Sequence, residues 1–343
     1  MKIKNRIIKG VTRSDPCFFR VNTDDNFYNV SFEITNRCNL ECKHCFNKSK
    51  EDSTEELSKF EILKLIDELA NAKIKNVYMT GGEPTQYPYF LEVINAFYDK
   101  GIEVILATNG YNISYYYDTI ERKISKKSGV YISIDGLEND HNELRGRPDA
   151  FQNAISTISL LAKRNIIIRV SSIIWDGNYS YLEKMVCFLK ELGVSQINFT
   201  IPVNVGRAME NGISLGAPYS EVLKKVNSIQ EKFTSEVFKI FLKRQHELGI
   251  NSLPCQAGQK IMHINSIGEI YPCSWIAKAG LNEYSLRWRP DNLSECINQI
   301  NDFQNVVSKR EELWGYSGCP AMAKIHDNDI FNNDPLNKNL CKE

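Results

Sequence analysis

The sequence predicts an α/β fold built on a parallel sheet, and two patterns indicate this. Short runs rich in β-branched and other apolar residues alternate with longer segments of helical spacing between Val30 and Ile201. Strands buried on both faces of a parallel sheet have this composition, and the helices between them form right-handed crossovers. Hydrophobic residues make up 42% and charged residues 24% of the chain, which favours a globular protein over a disordered one.

Six strands and five helices are predicted in this alternation. The strands are expected at residues 30–35, 76–80, 103–108, 130–134, 166–172 and 196–201. The helices are expected at residues 54–73, 89–100, 112–126, 150–164 and 179–192. The first helix is expected to bury one apolar face, formed by Leu57, Phe60, Leu63, Ile66 and Leu69. Such a repeat predicts a sheet that is open or closed into a partial barrel.

The pattern changes after the sixth strand. We predict a long helix over 219–248, a hairpin over 260–271 around the turn Ser266-Ile267-Gly268, and a helix over 292–309. The tail from Ser317 is polar and is expected to be rich in turns. We therefore expect an N-terminal extension at 1–29, the βα repeat at 30–215, a helical linker at 216–250 and a Cys-bearing domain at 251–343.

Charge and cysteine content narrow the class of protein. Lys plus Arg and Asp plus Glu both number 42, so we expect no nucleic-acid partner and no anionic membrane partner. The sequence contains no apolar run that would predict a membrane span or a secretory signal, which predicts a cytoplasmic protein. In that setting its ten cysteines are expected to be ligands or catalytic thiols before they are disulfides.

The most specific feature is a C-x3-C-x2-C group, formed by Cys38, Cys42 and Cys45 directly after the first strand. The carboxyl ends of strands carry the chemistry in βα folds. Three close thiolates can hold a four-iron cluster and leave one iron open to another ligand. The alternative is a zinc site completed by His44 or a distant residue, although no second C-x2-C pair follows nearby.

These residues resemble the radical S-adenosylmethionine (SAM) superfamily, whose signature is C-x3-C-x2-C after strand one. Thr80-Gly81-Gly82-Glu83-Pro84 resembles the family's GGEP motif, whose backbone pairs with the methionyl amino group of SAM. From the residues themselves, two glycines at a strand end allow close approach of a ligand, and Glu83 can accept a hydrogen bond from an ammonium group.

Two further segments resemble the peptide-modifying branch of this superfamily. Ser133-Ile134-Asp135-Gly136 is similar to its S-x-D-G motif, and 206–208 is similar to its G-R-A segment. The alternative for Ser133 and Asp135 is turn capping. The resemblance implies that Ser133 contacts SAM and that Arg145 binds its carboxylate. The implied cofactor-binding residues are His44, Gly81, Gly82, Glu83, Ser133 and Arg145.

The resemblance also implies a fold and a chemistry. The expected fold is a partial (βα)6 TIM-like barrel followed by a small Cys-rich α+β domain of the twitch or SPASM type. The expected cofactors are SAM and a [4Fe–4S] cluster with an open site for it. Reduction of the cluster cleaves SAM to a 5′-deoxyadenosyl radical, which abstracts a substrate hydrogen, so an external donor of the flavodoxin or ferredoxin type is an expected partner.

The C-terminal cysteines resemble the auxiliary-cluster ligands of SPASM and twitch domains. The residues concerned are Cys255, Cys273, Cys319 and Cys341. Residues 311–318 lack the further cysteines of a full SPASM domain, so one auxiliary [4Fe–4S] cluster is implied. Its fourth ligand is expected to be Cys341, with Cys296, a non-cysteine group or an open site as alternatives. The other alternative is a cluster-free remnant with buried thiols.

Three functions remain open from the sequence. The preferred one is a maturase that crosslinks, oxidises or epimerises a peptide or protein. The second acts on a small molecule, as a dehydrogenase, epimerase or tetrapyrrole-pathway enzyme, and the third is a non-catalytic Fe–S protein. We expect no fused peptide-recognition domain before Cys38, so a separate recognition protein is an expected partner. Ser274 stands where sulfatase-maturing enzymes place an aspartate, which disfavours that activity.

Overall fold

Ten strands form one open sheet in the part of the chain that the structure describes. This computed structural model describes residues 29–124, 129–243, 255–315 and 318–334. The strands are β1 Asn29–Glu33, β2 Asn76–Thr80, β3 Glu103–Thr108, β4 Val130–Ser133, β5 Ile168–Ile173, β6 Gln196–Thr200, β7 Lys239–Leu242, β8 Ile261–Ile264, β9 Glu269–Tyr271 and β10 Leu286–Arg287. Their order from edge to edge is β10-β9-β8-β1-β2-β3-β4-β5-β6-β7.

The first seven strands are parallel neighbours in chain order. Val30 of β1 lies opposite Val77 of β2, and the same parallel pairing continues strand by strand to β7. Each of the six connections between these strands contains at least one helix. The predicted parallel α/β fold is therefore confirmed, as a TIM-like sheet that does not close.

Thirteen α-helices accompany these strands within the described residues. They are α1 Lys59–Asn71, α2 Phe90–Asp99, α3 Ile113–Lys123, α4 Glu138–Arg145, α5 Ala150–Ala162, α6 Asp176–Tyr179, α7 Leu182–Glu191, α8 Gly206–Glu210, α9 Tyr219–Phe233, α10 Ser274–Lys278, α11 Leu293–Asn301, α12 Gln304–Trp314 and α13 Pro320–Asp327. Two 3₁₀ turns lie at Pro84–Gln86 and Asn282–Tyr284.

Helix α1 begins later than we predicted, and its buried face agrees with the prediction only in part: Leu57, Ile66 and Leu69 are buried and Leu63 is partly buried, but Phe60 is not. The Ser58 hydroxyl accepts a hydrogen bond from the Glu61 backbone N–H, and the Glu61 side chain bonds back to the Ser58 N–H, which fixes the start. The buried residues are Ile62, Leu65, Ile66 and Leu69. The prediction for Phe60 was wrong, since it is 66% exposed. A step of three residues falls about 60° short of a turn, so the predicted stripe drifted off the buried face.

The segment that we predicted as a helical linker also contains a strand. Helix α9 ends at Phe233, and β7 then pairs in parallel with β6, so one long helix over 219–248 was wrong where β7 lies. Ile240 and Leu242 are buried, while the residues between and before them are half-buried. This alternation has the period of a strand and is the signal that the prediction missed. Residues 244–250 lie outside the described ranges.

The C-terminal region extends the same sheet. The predicted hairpin is confirmed as antiparallel β8 and β9, and β8 also pairs in parallel with β1. The helix predicted over 292–309 is two helices, α11 and α12. Helix α13 lies where we expected turns, and Pro320 in its first turn is a helix-start signal that was overlooked. The predicted boundaries of the four regions remain predictions.

Buried apolar side chains form one large cluster between the sheet and its helices, and a smaller cluster in the C-terminal region. Among the helices of the described ranges, none has both the length and the apolar character needed to cross a membrane.

Glu68 of α1 connects the barrel to the C-terminal region. Its carboxylate accepts hydrogen bonds from the backbone N–H of Asp291 at 2.8 Å and of Leu293 at 3.0 Å. It also accepts from Nε1 of the buried Trp288 at 3.3 Å. Because Leu293 is the first residue of α11, Glu68 caps that helix from another part of the chain.

We expect Glu68→Ala to lower the free energy of unfolding by about 1–3 kcal/mol, because it leaves three donors without their acceptor. The matched control is Glu92→Ala, which removes an exposed carboxylate 3.4 Å from Lys59 Nζ and should cost less than about 0.5 kcal/mol. Urea denaturation of both variants measures the difference. Equal effects of the two substitutions would contradict the capping role of Glu68.

Candidate functional site

A cavity of about 320 Å³ lies at the carboxyl ends of the parallel strands. The cofactor-binding residues that we predicted all line it, namely His44, Gly81, Gly82, Glu83, Ser133 and Arg145. Four of the predicted metal ligands line it as well, namely Cys38, Cys42, Cys45 and Cys273. Segments far apart in the sequence therefore meet in one cavity, although their ligand roles remain predictions.

The loop that carries the three cysteines is held in place by Arg207. Its guanidinium donates to the carbonyl of Cys42 at 2.8 Å and to that of Ser49 at 3.0 Å, and its backbone N–H donates to the carbonyl of Cys45 at 2.9 Å. Gly206 has φ +57°, and a Cβ there would lie 2.6 Å from the Cα of Phe46. The G-R-A segment thus supports the loop, a role that the sequence motif did not reveal.

The three thiols are buried or half-buried and unpaired. Burial, followed by the neighbouring Cys42 thiol, raises the pKa of Cys38. Burial also raises the pKa of Cys42, even though Arg145 Nη1 lies 3.8 Å from its Sγ and favours the thiolate. Thiols protonated in this way become ligands when a bound cation displaces the proton.

The arrangement of these thiols bears on which metal group they fit. Within the described ranges, no three His, Cys, Asp or Glu side chains are placed to hold a single metal ion. A structural zinc ion needs four ligands around one centre, so the zinc alternative is not supported. In an iron–sulfur cluster the thiolates are spread over several irons, so three cysteines that line one cavity and pack together fit such a cluster.

Asp135 belongs to the site, although the sequence analysis assigned it no role in binding and gave turn capping as the alternative for it and Ser133. Its Oδ2 lies 2.7 Å from Nε and 2.5 Å from Nη2 of Arg145, and its Oδ1 accepts from the backbone N–H of Ile173 at 2.8 Å. Burial alone would raise the pKa of Asp135, but the charge of Arg145 holds it below its usual value. Asp135 therefore stays ionised and fixes the orientation of the Arg145 guanidinium.

Two histidines adjoin this ion pair. The Nδ1 of His141 accepts from the backbone N–H of Asp135 at 3.0 Å, while His44 Nε2 lies 3.9 Å from Asp135 Oδ2. Burial, opposed by Asp135 but assisted by Arg145, lowers the pKa of His44 to about 4. The His44 Nδ1 is buried and has no hydrogen-bond partner among the described residues, so the cavity leaves a polar atom for a ligand.

The GGEP segment is bound tightly to the cysteine-bearing loop. Gly82 donates its backbone N–H to the Thr35 carbonyl at 2.9 Å, and Glu83 donates to the Arg37 carbonyl at 2.8 Å. A Cβ at Gly81 would lie 2.3 Å from the Thr35 carbonyl oxygen, and a Cβ at Gly82 would lie 2.3 Å from the Arg37 carbonyl oxygen. The absence of side chains at these glycines therefore allows close packing of backbone on backbone, beside any approach to a ligand.

The Glu83 carboxylate is fully buried and already has several donors. It accepts from the hydroxyls of Thr85 and Thr108 at 2.8 and 2.9 Å, and from the Thr85 and Asn109 backbone N–H groups at 3.2 and 2.7 Å. Burial raises its pKa in spite of these bonds. The hydrogen bond to a ligand ammonium that we expected from Glu83 would therefore compete with this network.

The C-terminal cysteines are distributed between two packing clusters. Cys255, Cys273 and Cys319 pack in the smaller C-terminal cluster, whereas Cys296 belongs to the large core. Cys296 is fully buried, with its Sγ 3.6 Å from Asn292 Oδ1, so the structure does not support it as their fourth ligand. Cys341 lies outside the described residues. The buried Asp334 accepts the backbone N–H of Cys319 at 3.0 Å, a contact that no sequence motif indicated.

We expect Arg207→Ala to speed amide hydrogen exchange in residues 42–49 at least tenfold, because two backbone carbonyls lose a charged donor that is worth about 1–3 kcal/mol each. Hydrogen exchange followed by mass spectrometry measures this. Arg164→Ala is the control, since it removes an arginine of similar size that pairs on the surface with Glu121. Unchanged protection in Arg207→Ala would show that the loop is held by other contacts.

Known proteins share sequence and fold with this chain. Residues 32–184 match the radical SAM superfamily. The chain is 26% identical over 335 residues to the AdoMet-dependent heme synthase of Methanosarcina barkeri, covering 89% of this chain and 95% of that protein.

Two relatives from Bacillus subtilis match a smaller share of this chain than the heme synthase does. The subtilosin biosynthesis protein AlbA is 25% identical over 75% of this chain and 56% of its own length. The sporulation killing factor maturation protein SkfB is 26% identical over 73% of this chain and 61% of its own length. The chain thus spans less than two thirds of either protein.

Solved structures share the fold. SAM-bound SuiB from Streptococcus suis superposes with a TM-score of 0.65 at 18% identity, covering 81% of this chain and 68% of SuiB. AdoMet-bound anSMEcpe superposes with a TM-score of 0.70 at 17% identity and covers 92% of each chain. The superfamily match implies a [4Fe–4S] cluster and SAM as cofactors. The chain therefore carries a radical SAM domain at residues 32–184.

Proposed function

We propose that this enzyme abstracts a hydrogen atom from a peptide or protein and thereby modifies it. When bound, the [4Fe–4S] cluster and SAM supply a 5′-deoxyadenosyl radical as the abstracting species. Cys38, Cys42 and Cys45 would hold the cluster, because all three line the cavity and pack together. The other residues of the site would bind and orient SAM and the substrate, and would keep water out of the cavity.

Arg145 is the residue placed best to bind the SAM carboxylate. Asp135 occupies its Nε and Nη2, which leaves the Nη1 side next to Cys42 for another anion. Because Asp135 neutralises the buried guanidinium and fixes its plane, little reorganisation is needed when the ligand binds. Neutral His44 offers a second polar contact through Nδ1, which has no partner among the described residues.

The size of the cavity is the observation that carries the peptide proposal. At about 320 Å³ it lies at the lower end of the range of roughly 300–1,000 Å³ for small-molecule pockets, and it must also receive SAM. A single side chain on a flexible peptide needs little of that volume, whereas a four-ring macrocycle needs much more. Relatives whose names refer to peptide products, such as AlbA and SkfB, add support.

A tetrapyrrole is the second candidate substrate, and one observation favours it. The heme synthase of Methanosarcina barkeri matches over 95% of its own length, while AlbA and SkfB match over 56% and 61%. The architecture of this chain is therefore closer in extent to a heme synthase. This candidate requires the cavity to widen when the substrate binds.

The proposal includes an auxiliary [4Fe–4S] cluster in the C-terminal region. Cys255, Cys273 and Cys319 pack in the same small cluster, and Cys273 also lines the cavity, so a group held there would lie beside the substrate. Cys341 is proposed as the fourth ligand. An external flavodoxin- or ferredoxin-type donor would supply electrons, and a separate protein could present the peptide. The free thiols of Cys38, Cys42 and Cys45 favour a reducing compartment such as the cytoplasm.

We expect about eight irons per chain after anaerobic reconstitution, and about four in Cys273→Ala, because one of two four-iron clusters loses a ligand. Iron analysis together with the cluster absorbance band measures this. Cys296→Ala is the matched control, since that thiol is buried in the other cluster and should leave the iron content unchanged. About four irons in the wild-type protein would show that the C-terminal cysteines hold no cluster.

We expect a size-selected peptide fraction of the host extract to stimulate 5′-deoxyadenosine formation by the reconstituted enzyme, and protease treatment of that fraction to abolish the stimulation. Cys42→Ala should form no 5′-deoxyadenosine, because a cluster with an open iron needs three thiolates.

The competing substrate is tested in the same assay with Fe-coproporphyrin III. Conversion of this porphyrin, with a stimulating fraction that resists protease, would overturn the peptide proposal in favour of the tetrapyrrole. Formation of 5′-deoxyadenosine by Cys42→Ala would instead overturn the assignment of the cluster ligands.

A further inference from the structure

A second polar group lies in the cavity wall where β1 and β8 pair. We call it the β1–β8 polar group, and it consists of Glu33, His263 and Asn47. Glu33 and His263 are 5% and 0% exposed, and all three residues line the cavity. The Asn47 amide donates to Glu33 Oε1 at 2.8 Å. Nothing in the binding of the cluster or SAM described above uses these side chains.

The group leaves buried polar atoms without partners. His263 Nε2 lies 3.6 Å from Glu33 Oε1, which is too far for a hydrogen bond, and it has no hydrogen-bond partner among the described residues. The Asn47 Oδ1 is also buried and has no hydrogen-bond partner among the residues that the structure describes. Because unpaired buried polar atoms are costly, the gap between these side chains calls for a polar ligand.

The charges around the gap limit which ligand fits. Lys278 Nζ lies 3.5 Å from Glu33 Oε1 and balances its charge. Burial lowers the pKa of His263 to about 4, so the imidazole is neutral near pH 7. A carboxylate or an ammonium in the gap would meet one like and one opposite charge, so the Glu33–Lys278 pair offers no net attraction to either ion.

A neutral group that both donates and accepts suits either tautomer of His263. If the proton is on Nδ1, which lies 3.3 Å from Ser31 Oγ, then Nε2 and Glu33 are both acceptors and need donors. If the proton is on Nε2, the ligand accepts from His263 and donates to Glu33. A primary amide, with two N–H donors and an acceptor oxygen, meets both requirements, and a hydroxyl, with one donor, meets the second.

We propose that Glu33, His263 and Asn47 bind a neutral amide or hydroxyl group of the substrate and so fix its position in the cavity. The inference rests on the proposed function and narrows it. Peptides present amides along their whole length, whereas the ionised carboxylates of a tetrapyrrole do not match this wall. Glu33 and His263 are thus assigned as residues that determine substrate specificity.

The test uses the reconstituted enzyme with SAM and three small probes: acetamide, acetate and methylammonium. Calorimetric titration measures the affinity for each, and anaerobically grown crystals soaked with each probe show where it binds. We expect acetamide to bind between Glu33 and His263 at least tenfold more tightly than either ion. Glu33→Ala should weaken acetamide at least tenfold, because an acceptor is lost.

Glu33→Gln separates a role in ligand binding from a purely structural role, because a structural role of Glu33 would not affect which probe binds more tightly. It replaces a charged acceptor by a neutral amide of the same size, so the preference for acetamide over acetate should shrink at least tenfold. Glu269→Gln is the matched control. This carboxylate lies in the β8–β9 hairpin, accepts hydrogen bonds from Asn265 and Tyr271, and is not among the cavity-lining residues. It should leave the affinities of all three probes unchanged.

Two outcomes overturn the inference. The first is tighter binding of acetate or methylammonium than of acetamide in the gap of the wild-type protein. The second is a gap that holds only water at saturating acetamide. Either outcome in an enzyme that forms 5′-deoxyadenosine and responds to a protease-sensitive fraction leaves the proposed function intact, so the two failures are distinguishable.

Discussion

The site depends on the pairing of β1 with a parallel strand on each side. β2 pairs along one edge of β1 and β8 along the other, so the strand lies between the barrel and the C-terminal region. Its carboxyl end leads directly into the loop that carries Cys38, Cys42 and Cys45. Glu33, near that end, faces His263 of β8. One strand thus joins the cofactor side of the cavity to the wall contributed by the second region.

Buried charges in this cavity are compensated locally, and the two pairs have different surroundings. The Asp135–Arg145 pair is short and carries additional hydrogen bonds, which offset the cost of removing both charges from water. The Glu33–Lys278 pair is longer, at 3.5 Å, and has an unpartnered imidazole nitrogen beside it. The first pair therefore needs no ligand to offset its burial, while the second leaves a polar atom beside it without a partner.

The sequence was sufficient to predict the elements whose pattern is local. The bounds of β2 and β3 agree with the predicted residues, because short runs of apolar and β-branched residues followed by turn residues define them well. β7 was missed because its four residues follow a long amphipathic helix, and pairing with β6 decides its conformation. The face of α1 was misplaced at Phe60 because a three-residue step only approximates the helical period.

The site was likewise predictable only where its pattern is local in the sequence. Motifs located the residues that line the cavity, since each motif stands at a strand end. The contacts that Arg207 and Asp135 make join segments far apart in the chain, and spacing contains no information about them. The pairing of Glu33 with His263 likewise depends on β8 lying next to β1, which an open sheet of six strands did not imply.

The parallel pairing of β8 with β1 has a consequence for how the two regions can be separated. Without β8, one side of β1 would expose a row of backbone N–H and C=O groups, and the wall of the cavity would become an open sheet edge. A barrel excised from this chain would therefore tend to pair with other molecules through that edge. β8 thus protects this edge of the sheet, independently of any cluster that the C-terminal region holds.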